Sequence, residues 1–282
     1  MLCFHGDVPV ALDESSQRTR GTPFTKWLWD GRRSLVGWIL AIVFVGGGYA
    51  AFWPVIDDPA LQAALESYPQ AMLEALNYTD LATTAGYLTA TVYGLVVAVL
   101  MIVFAIGAGA RMIAGDEESG TLDLILAHPV DRHRLALQRF ASFLAATALL
   151  VGALWLAMIA LAGPAQFEGV TAAGFAAMHL HLWLFAGFFG AVAYAVGAAS
   201  GRRGLAIAIG SGVAVWGFLA NGVLPQVEGF EWARSLSAFG WLIGERPLAN
   251  GVHAGAALTM AGLIVLLVGA GTWRFGRRDV AV

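Results

Sequence analysis

The chain has 282 residues, of which 59% are hydrophobic and only 12% charged, with a net charge of −3 and a mean hydropathy of +0.71. Soluble domains carry about 25% charged residues, so this composition lacks the polar surface of a soluble fold and points to a polytopic membrane protein. The single cysteine, Cys3, excludes an intramolecular disulfide and a cysteine-based metal cage.

Residues 1–23 are polar and without periodicity, and read as a disordered cytoplasmic tail. No secretory signal is expected, because the first apolar run lies too far into the chain and is too long for one. Residues 24–34 place Trp27 and Trp29 beside Lys26, Arg32 and Arg33. Indole rings and basic groups favour the headgroup layer, so this stretch reads as an interfacial elbow helix; a plain juxtamembrane anchor has the same composition.

A window of about 20 apolar residues then finds six spans, at residues 35–56, 85–110, 135–161, 175–199, 205–224 and 252–273. The expected fold class is all-α, with residues 35–282 forming one six-span transmembrane domain. In the first outer loop Leu61, Leu65, Met72, Leu73 and Leu76 fall at near-helical spacing broken by Pro69, which suggests an amphipathic helix on the outer surface. On the second span Thr84, Tyr87, Thr91, Gly94 and Ala98 recur at i, i+3, i+4 spacing. Such a stripe of small and hydroxyl-bearing residues lines a pathway or packs closely against another helix. Residues 225–251 are too apolar for a free loop and too broken by Gly and Pro to span. They are expected to form short re-entrant helices, with Phe239, Trp241 and Leu242 as an outer gate, or a loop lying on the surface.

Orientation follows from the basic residues. With the N-terminus inside, Arg18, Arg20, Lys26, Arg32, Arg33, Arg111, Arg132, Arg134, Arg139, Arg202, Arg203, Arg274, Arg277 and Arg278 are cytoplasmic, and only Arg234 and Arg246 are external. This is a positive-inside pattern with both termini in the cytoplasm of a plasma membrane.

Between the second and third runs stands the one densely charged inner segment, GDEESGTLDLILAHPVDRHR at residues 115–134. Leu122, Ile125 and Leu126 share one face of a helix there, Ser119 is placed to cap its start and Pro129 to end it. A short amphipathic helix of this kind suits docking to a soluble partner, although a hydrated loop shows the same charge pattern.

The wording of the segment resembles the motif of ABC-2 permeases, the membrane subunits of one class of ATP-binding-cassette exporters. Glu117 and Glu118 match its acidic run, Gly120, Thr121, Leu122, Asp123, Leu124 and Leu126 its core, and Pro129, Val130 and Arg132 its close. Ile125 stands where Leu is usual, and Asp131 where a small hydroxyl residue is usual. FGRRDV at residues 275–280 is similar to the family's ending after the last span. The resemblance, from about Phe24 onward, implies a prokaryotic exporter subunit whose helix at 116–130 couples to a separate ATPase, the elbow helping to frame the docking surface. It implies two ATPase copies that bind ATP and Mg, and a second permease copy or close paralogue. No cofactor bound by this chain, no metal and no nucleic-acid partner is expected; membrane lipid is.

Other chemistries find less support. His179 and His181 lie two apart, about 200° around a helix, and cannot both hold one ion from a regular helix. Gly210-Ser211-Gly212 lacks a catalytic histidine in a later span. No G-x-x-x-x-G-K-[ST] occurs and the only lysine is Lys26, so a Walker-type phosphate loop must come from another subunit. Span centres lack Asp, Glu, Lys and Arg, which argues against an ion-coupled carrier. A non-transporting assembly or scaffold subunit is compatible with the same sequence. The topology predicts that a reporter fused after Val282 is cytoplasmic and one inserted near Gln62 external; both on one side would overturn the six-span reading.

Overall fold

The computed structural model describes residues 31–58, 60, 63, 69, 72, 81, 83–122 and 131–278. Among these there are helices and no strand, and six helices are long and apolar enough to cross a membrane. The chain is a multi-pass membrane protein.

The first span, α1 (Arg32–Ala51), continues through a short turn to Ile56. Arg32, Arg33 and Ser34 lie in or open this helix, so the break between elbow and span expected after Ser34 does not occur there. Trp27 and Trp29, with the rest of the elbow, lie outside the described residues. Most of the outer-loop helix does too; Met72 is half-exposed. The second span, α2 (Thr84–Glu118), is continuous but irregular: π-helical at Leu88–Val96 and again at Arg111–Gly115. It runs past Ala110, where hydropathy ends, and carries the acidic run as its last turn. Charge stops the apolar signal without stopping the helix; acids in a last turn oppose the helix dipole, and here each carboxylate finds a partner on another element.

The third span, α3 (Arg132–Ala162), starts at Asp131, whose Oδ1 accepts from the Arg134 N–H at 2.8 Å. Aspartate thus serves as the N-cap that a hydroxyl residue would otherwise provide. The fourth, α4 (Ala172–Ser200), is capped by Thr171 and ends at Gly201 in the left-handed conformation, φ +68. The fifth is α5 (Arg203–Gly222). Two 3-10 helices, Leu224–Gln226 and Glu231–Leu236, and two short α-helices, α6 (Ala238–Ile243) and α7 (Pro247–Asn250), follow before the last span, α8 (Ala254–Arg277).

The bundle is built around α2 and α4. In their most apolar windows 67% and 72% of residues are buried, against 22% to 33% for the other four spans. Lipid tails are as apolar as leucine, so close packing and hydrogen bonds hold these helices together. Backbone approach is closest at Gly109 and Gly190: a Cβ on Gly109 would lie 2.5 Å from the Gly190 carbonyl oxygen, and the Phe143 ring fills the space beside Gly190. Phe143 stacks with Phe104 at 6.3 Å and tilts against Phe140 at 5.6 Å, tying α3 to α2. Tyr194 Oη and Thr272 Oγ1, 2.7 Å apart, join α4 to α8, and Trp183 Nε1 donates to the Leu144 carbonyl at 3.0 Å, joining α4 to α3.

Packing this tight predicts that Gly190→Val destabilises the detergent-solubilised protein by about 1–3 kcal/mol, as overpacking does. Gly204→Ala, at a position with open space around it, leaves the thermal unfolding midpoint nearly unchanged.

Candidate functional site

The two ends of the bundle differ in chemistry. At one end α2 finishes in Asp116, Glu117 and Glu118, and each carboxylate reaches a different helix. Asp116 Oδ2 pairs with Arg139 Nη2 of α3 at 2.5 Å. Arg139 also donates from Nη1 to the carbonyl of Met112, in the π-helical stretch of α2. Glu117 Oε2 pairs with Arg278 Nη2, just past the end of α8, with both side chains mostly buried. Glu118 Oε1 accepts from the Arg203 N–H at 2.8 Å. That N–H opens α5 and has no partner within its own helix, so an acid on α2 caps α5 and meets the positive end of its dipole.

The C-terminal residues complete this clasp. Phe275 is fully buried. Arg132 Nη1 donates to the Arg278 carbonyl at 2.9 Å, bridging α3 to the chain beyond α8. Gly201 provides the seat of the Glu117–Arg278 pair: a Cβ there would lie 2.6 Å from Glu117 Oε1 and closer still to the Arg278 guanidinium. Its positive φ makes a side chain strained there in any case.

Glu117, Glu118 and Arg132, expected at an ATPase surface, are engaged with their own chain. Leu122, expected on the apolar docking face, is 0% exposed and packs into the core of its own chain. Ser119 does not start a helix; it closes the 116–118 turn, and a left-handed Gly120, φ +69, redirects the chain before helix resumes at Thr121. Ser119, Gly120 and Thr121 are exposed. Asp123, Ile125, Leu126 and Pro129 lie outside the described residues.

At the opposite end α6 is held inward. Ser237 Oγ donates to the Gly217 carbonyl of α5 at 2.6 Å and caps α6 through the N–H groups of Phe239 and Gly240. The buried Phe239 ring packs edge-on against Phe185 at 5.2 Å and Phe218 at 5.8 Å, Leu242 is fully buried, and Trp241 meets Phe188 at 5.9 Å. Phe188 lies past the midpoint of α4. His181 fastens this cap: its Nδ1–H donates to the Trp241 carbonyl at 3.0 Å, while Nε2 accepts from the His253 N–H at 3.3 Å. His179 turns elsewhere, its Nδ1–H bonded to the Phe175 carbonyl at 2.7 Å. Among the described residues no three His, Cys, Asp or Glu side chains come together as metal ligands.

The stripe on α2 is crossed by the π-helical stretch at Leu88–Val96, and every member but Thr91 is buried. Thr84 and Tyr87 are buried, and Tyr87 Oη donates to the Tyr49 carbonyl of α1 at 2.7 Å. Those two residues pack. Thr91 is half-buried, and Gly94 faces Ile243 of α6.

Removing one partner of a buried ion pair typically costs ~3–5 kcal/mol. Arg278→Gln is therefore expected to lower the unfolding midpoint more than Arg202→Gln, an exposed neighbour, and Gly201→Ala to behave like Arg278→Gln. Equal midpoints for Arg278→Gln and Arg202→Gln, read by thermal unfolding in detergent, would contradict the clasp.

The sequence compares with known proteins as this architecture leads one to expect. None of the curated proteins matches it. The profile described as ABC-2 family transporter protein matches residues 25–280, which takes in all six spans, the clasp and the cap. The chain belongs to the ABC-2 family of transporter proteins, as a membrane permease component.

Proposed function

We propose that this chain is the permease subunit of an ATP-driven exporter, with both termini and the clasp on the cytoplasmic side. A separate ATPase binds ATP and Mg and docks on the exposed Ser119-Gly120-Thr121 turn and residues 123–130 that follow it. Two ATPase copies serve two permease chains, identical or closely related. The observation that carries this reading is the clasp. The three carboxylates that engage α3, α5 and the end of α8 stand directly before the docking segment in the chain. A push on residues 123–130 therefore reaches α2 and these three neighbours as one body.

The opposite end is then the exit. Short α6 and α7 form re-entrant elements that close it, with Phe239, Trp241 and Leu242 as the gate. Thr91 is the member of the α2 stripe with side-chain surface left to meet a passing molecule. The membrane-spanning centres hold no Asp, Glu, Lys or Arg, so the electrochemical work of transport falls to the partner.

Leu126→Asp places a charge at the docking surface, where an unpaired buried charge costs several kcal/mol, and is expected to abolish co-purification with the ATPase while the permease stays folded. Undiminished assembly would move the docking site elsewhere. In vesicles the chain alone is expected neither to hydrolyse ATP nor to respond to a proton or sodium gradient. Flux driven by a gradient without the ATPase would make it an ion-coupled carrier. Full function with an ATPase unable to hydrolyse ATP would make it a scaffold.

A further inference from the structure

His181 of α4 is wholly buried, and its ring holds two other elements at once. Its Nδ1–H donates to the Trp241 carbonyl of α6 at 3.0 Å, and its Nε2 accepts from the backbone N–H of His253 at 3.3 Å. A carbonyl can only accept and an N–H can only donate, so both bonds exist together only in the neutral ring that carries its proton on Nδ1. A second proton, on Nε2, sets donor against donor. It leaves the bond to α6 in place and breaks the bond to the start of α8.

The residue on the far side of that bond governs its own helix. His253 caps α8, its Nδ1 accepting from the Ala256 N–H at 3.2 Å, and it is exposed, which brings water to the edge of the latch. Few other ionisable groups surround the ring. α6 and α7 contain none, α8 brings His253, and α2 brings Tyr93, whose ring meets that of His179 at 5.4 Å. His179, on α4 itself, is bonded to the Phe175 carbonyl. The charged residues of α2, α3, α5 and α8 lie at the opposite end, and Glu245 and Arg246, between α6 and α7, are exposed.

We infer that a proton taken up by His181 releases the start of α8 from α4, so that acid loosens this end of the bundle. The sign follows from the bonding. The latched ring is filled by one proton, the released ring has room for a second, and added protons favour the state that binds more of them. The Leu248 carbonyl of α7 packs against Gly174 of α4 and takes no proton, so α7 keeps its place, and Gly251, φ +82, stands between α7 and the part that moves. That this end is the exit rests on the function proposed above. The release itself is a property of the chain alone, and an ATPase that never associates with it would leave the release unchanged.

The test is hydrogen–deuterium exchange of the full chain in detergent, read by mass spectrometry over residues 253–258 at about pH 7.5 and about pH 5, the range in which histidine ordinarily changes charge, with times rescaled for the intrinsic rate. Wild type is expected to exchange there about tenfold faster in acid, because one hydrogen bond is lost and a donor is left facing a donor. His181→Gln keeps a donor and an acceptor but takes no proton, and should exchange equally under both conditions. His179→Gln should retain the acid response, as should His253→Asn, which keeps the backbone N–H and an N-capping side chain. Variants are compared once they elute as folded protein; if His181→Gln does not fold, wild type and the other two variants decide. Rescaled exchange in wild type that is indifferent to pH overturns the inference, as does an acid response that persists in His181→Gln. Loss of the response in His179→Gln or His253→Asn would place the proton elsewhere and overturn it too.

Discussion

The Glu117–Arg278 pair joins the end of the second span to the chain just beyond the sixth, 161 residues apart in sequence. Around it, Asp116 holds Arg139 and Glu118 caps α5, so three consecutive side chains of one helix determine how the charged end is assembled. A carboxylate removed from water is expensive unless paired; the mostly buried Glu117 pairs with Arg278 and the partly exposed Asp116 with Arg139, while the exposed Glu118 satisfies an otherwise orphan backbone N–H. The geometry depends in turn on Gly201. It ends α4 in a conformation that L side chains rarely adopt and leaves room for the ion pair.

The same end shows how an irregular helix serves mechanics. A regular α-helix closes each carbonyl onto the fourth residue ahead; the π-helical stretch at Arg111–Gly115 breaks that order, and Arg139 takes up the Met112 carbonyl within it. Such stretches concentrate at functional sites. A second lies at Leu88–Val96, beneath the cap, where Gly94 admits Ile243. Both irregular stretches of α2 therefore stand where other elements must fit against the bundle, one towards each end.

Much of this was legible in the sequence. Six apolar runs gave six spans, with most ends within three residues of expectation, because the length of apolar sequence needed to cross a bilayer leaves little freedom. The short helices between α5 and α8 followed from Gly and Pro in apolar surroundings. What was missed has physical causes. Hydropathy ends at Ala110 while the helix runs on to Glu118, so the acidic run read as the start of a separate short helix, and its contacts within the chain were not foreseen. The burial of Leu122 was not legible either, because helical spacing records which residues share a face without recording what that face meets. The signal that could have found the clasp was the pair of motifs themselves: an acidic run after one span and a double arginine after another, both on the inner side by charge bias, with too few other partners for those arginines.

If the clasp carries movement from the docking turn into the bundle, it must stay closed while the bundle moves. With Cys3 replaced by serine, spin labels at Ser119 and Arg202, both exposed at the charged end, report that directly by pulsed electron resonance in the transporter assembled with its ATPase. The account predicts one narrow Ser119–Arg202 distance that is unchanged between nucleotide-free and ATP-bound states, while the Ser119–Ser119 distance between the two permease copies shifts. A Ser119–Arg202 distance that lengthens or broadens on ATP binding would mean that the charged end comes apart, and would contradict it.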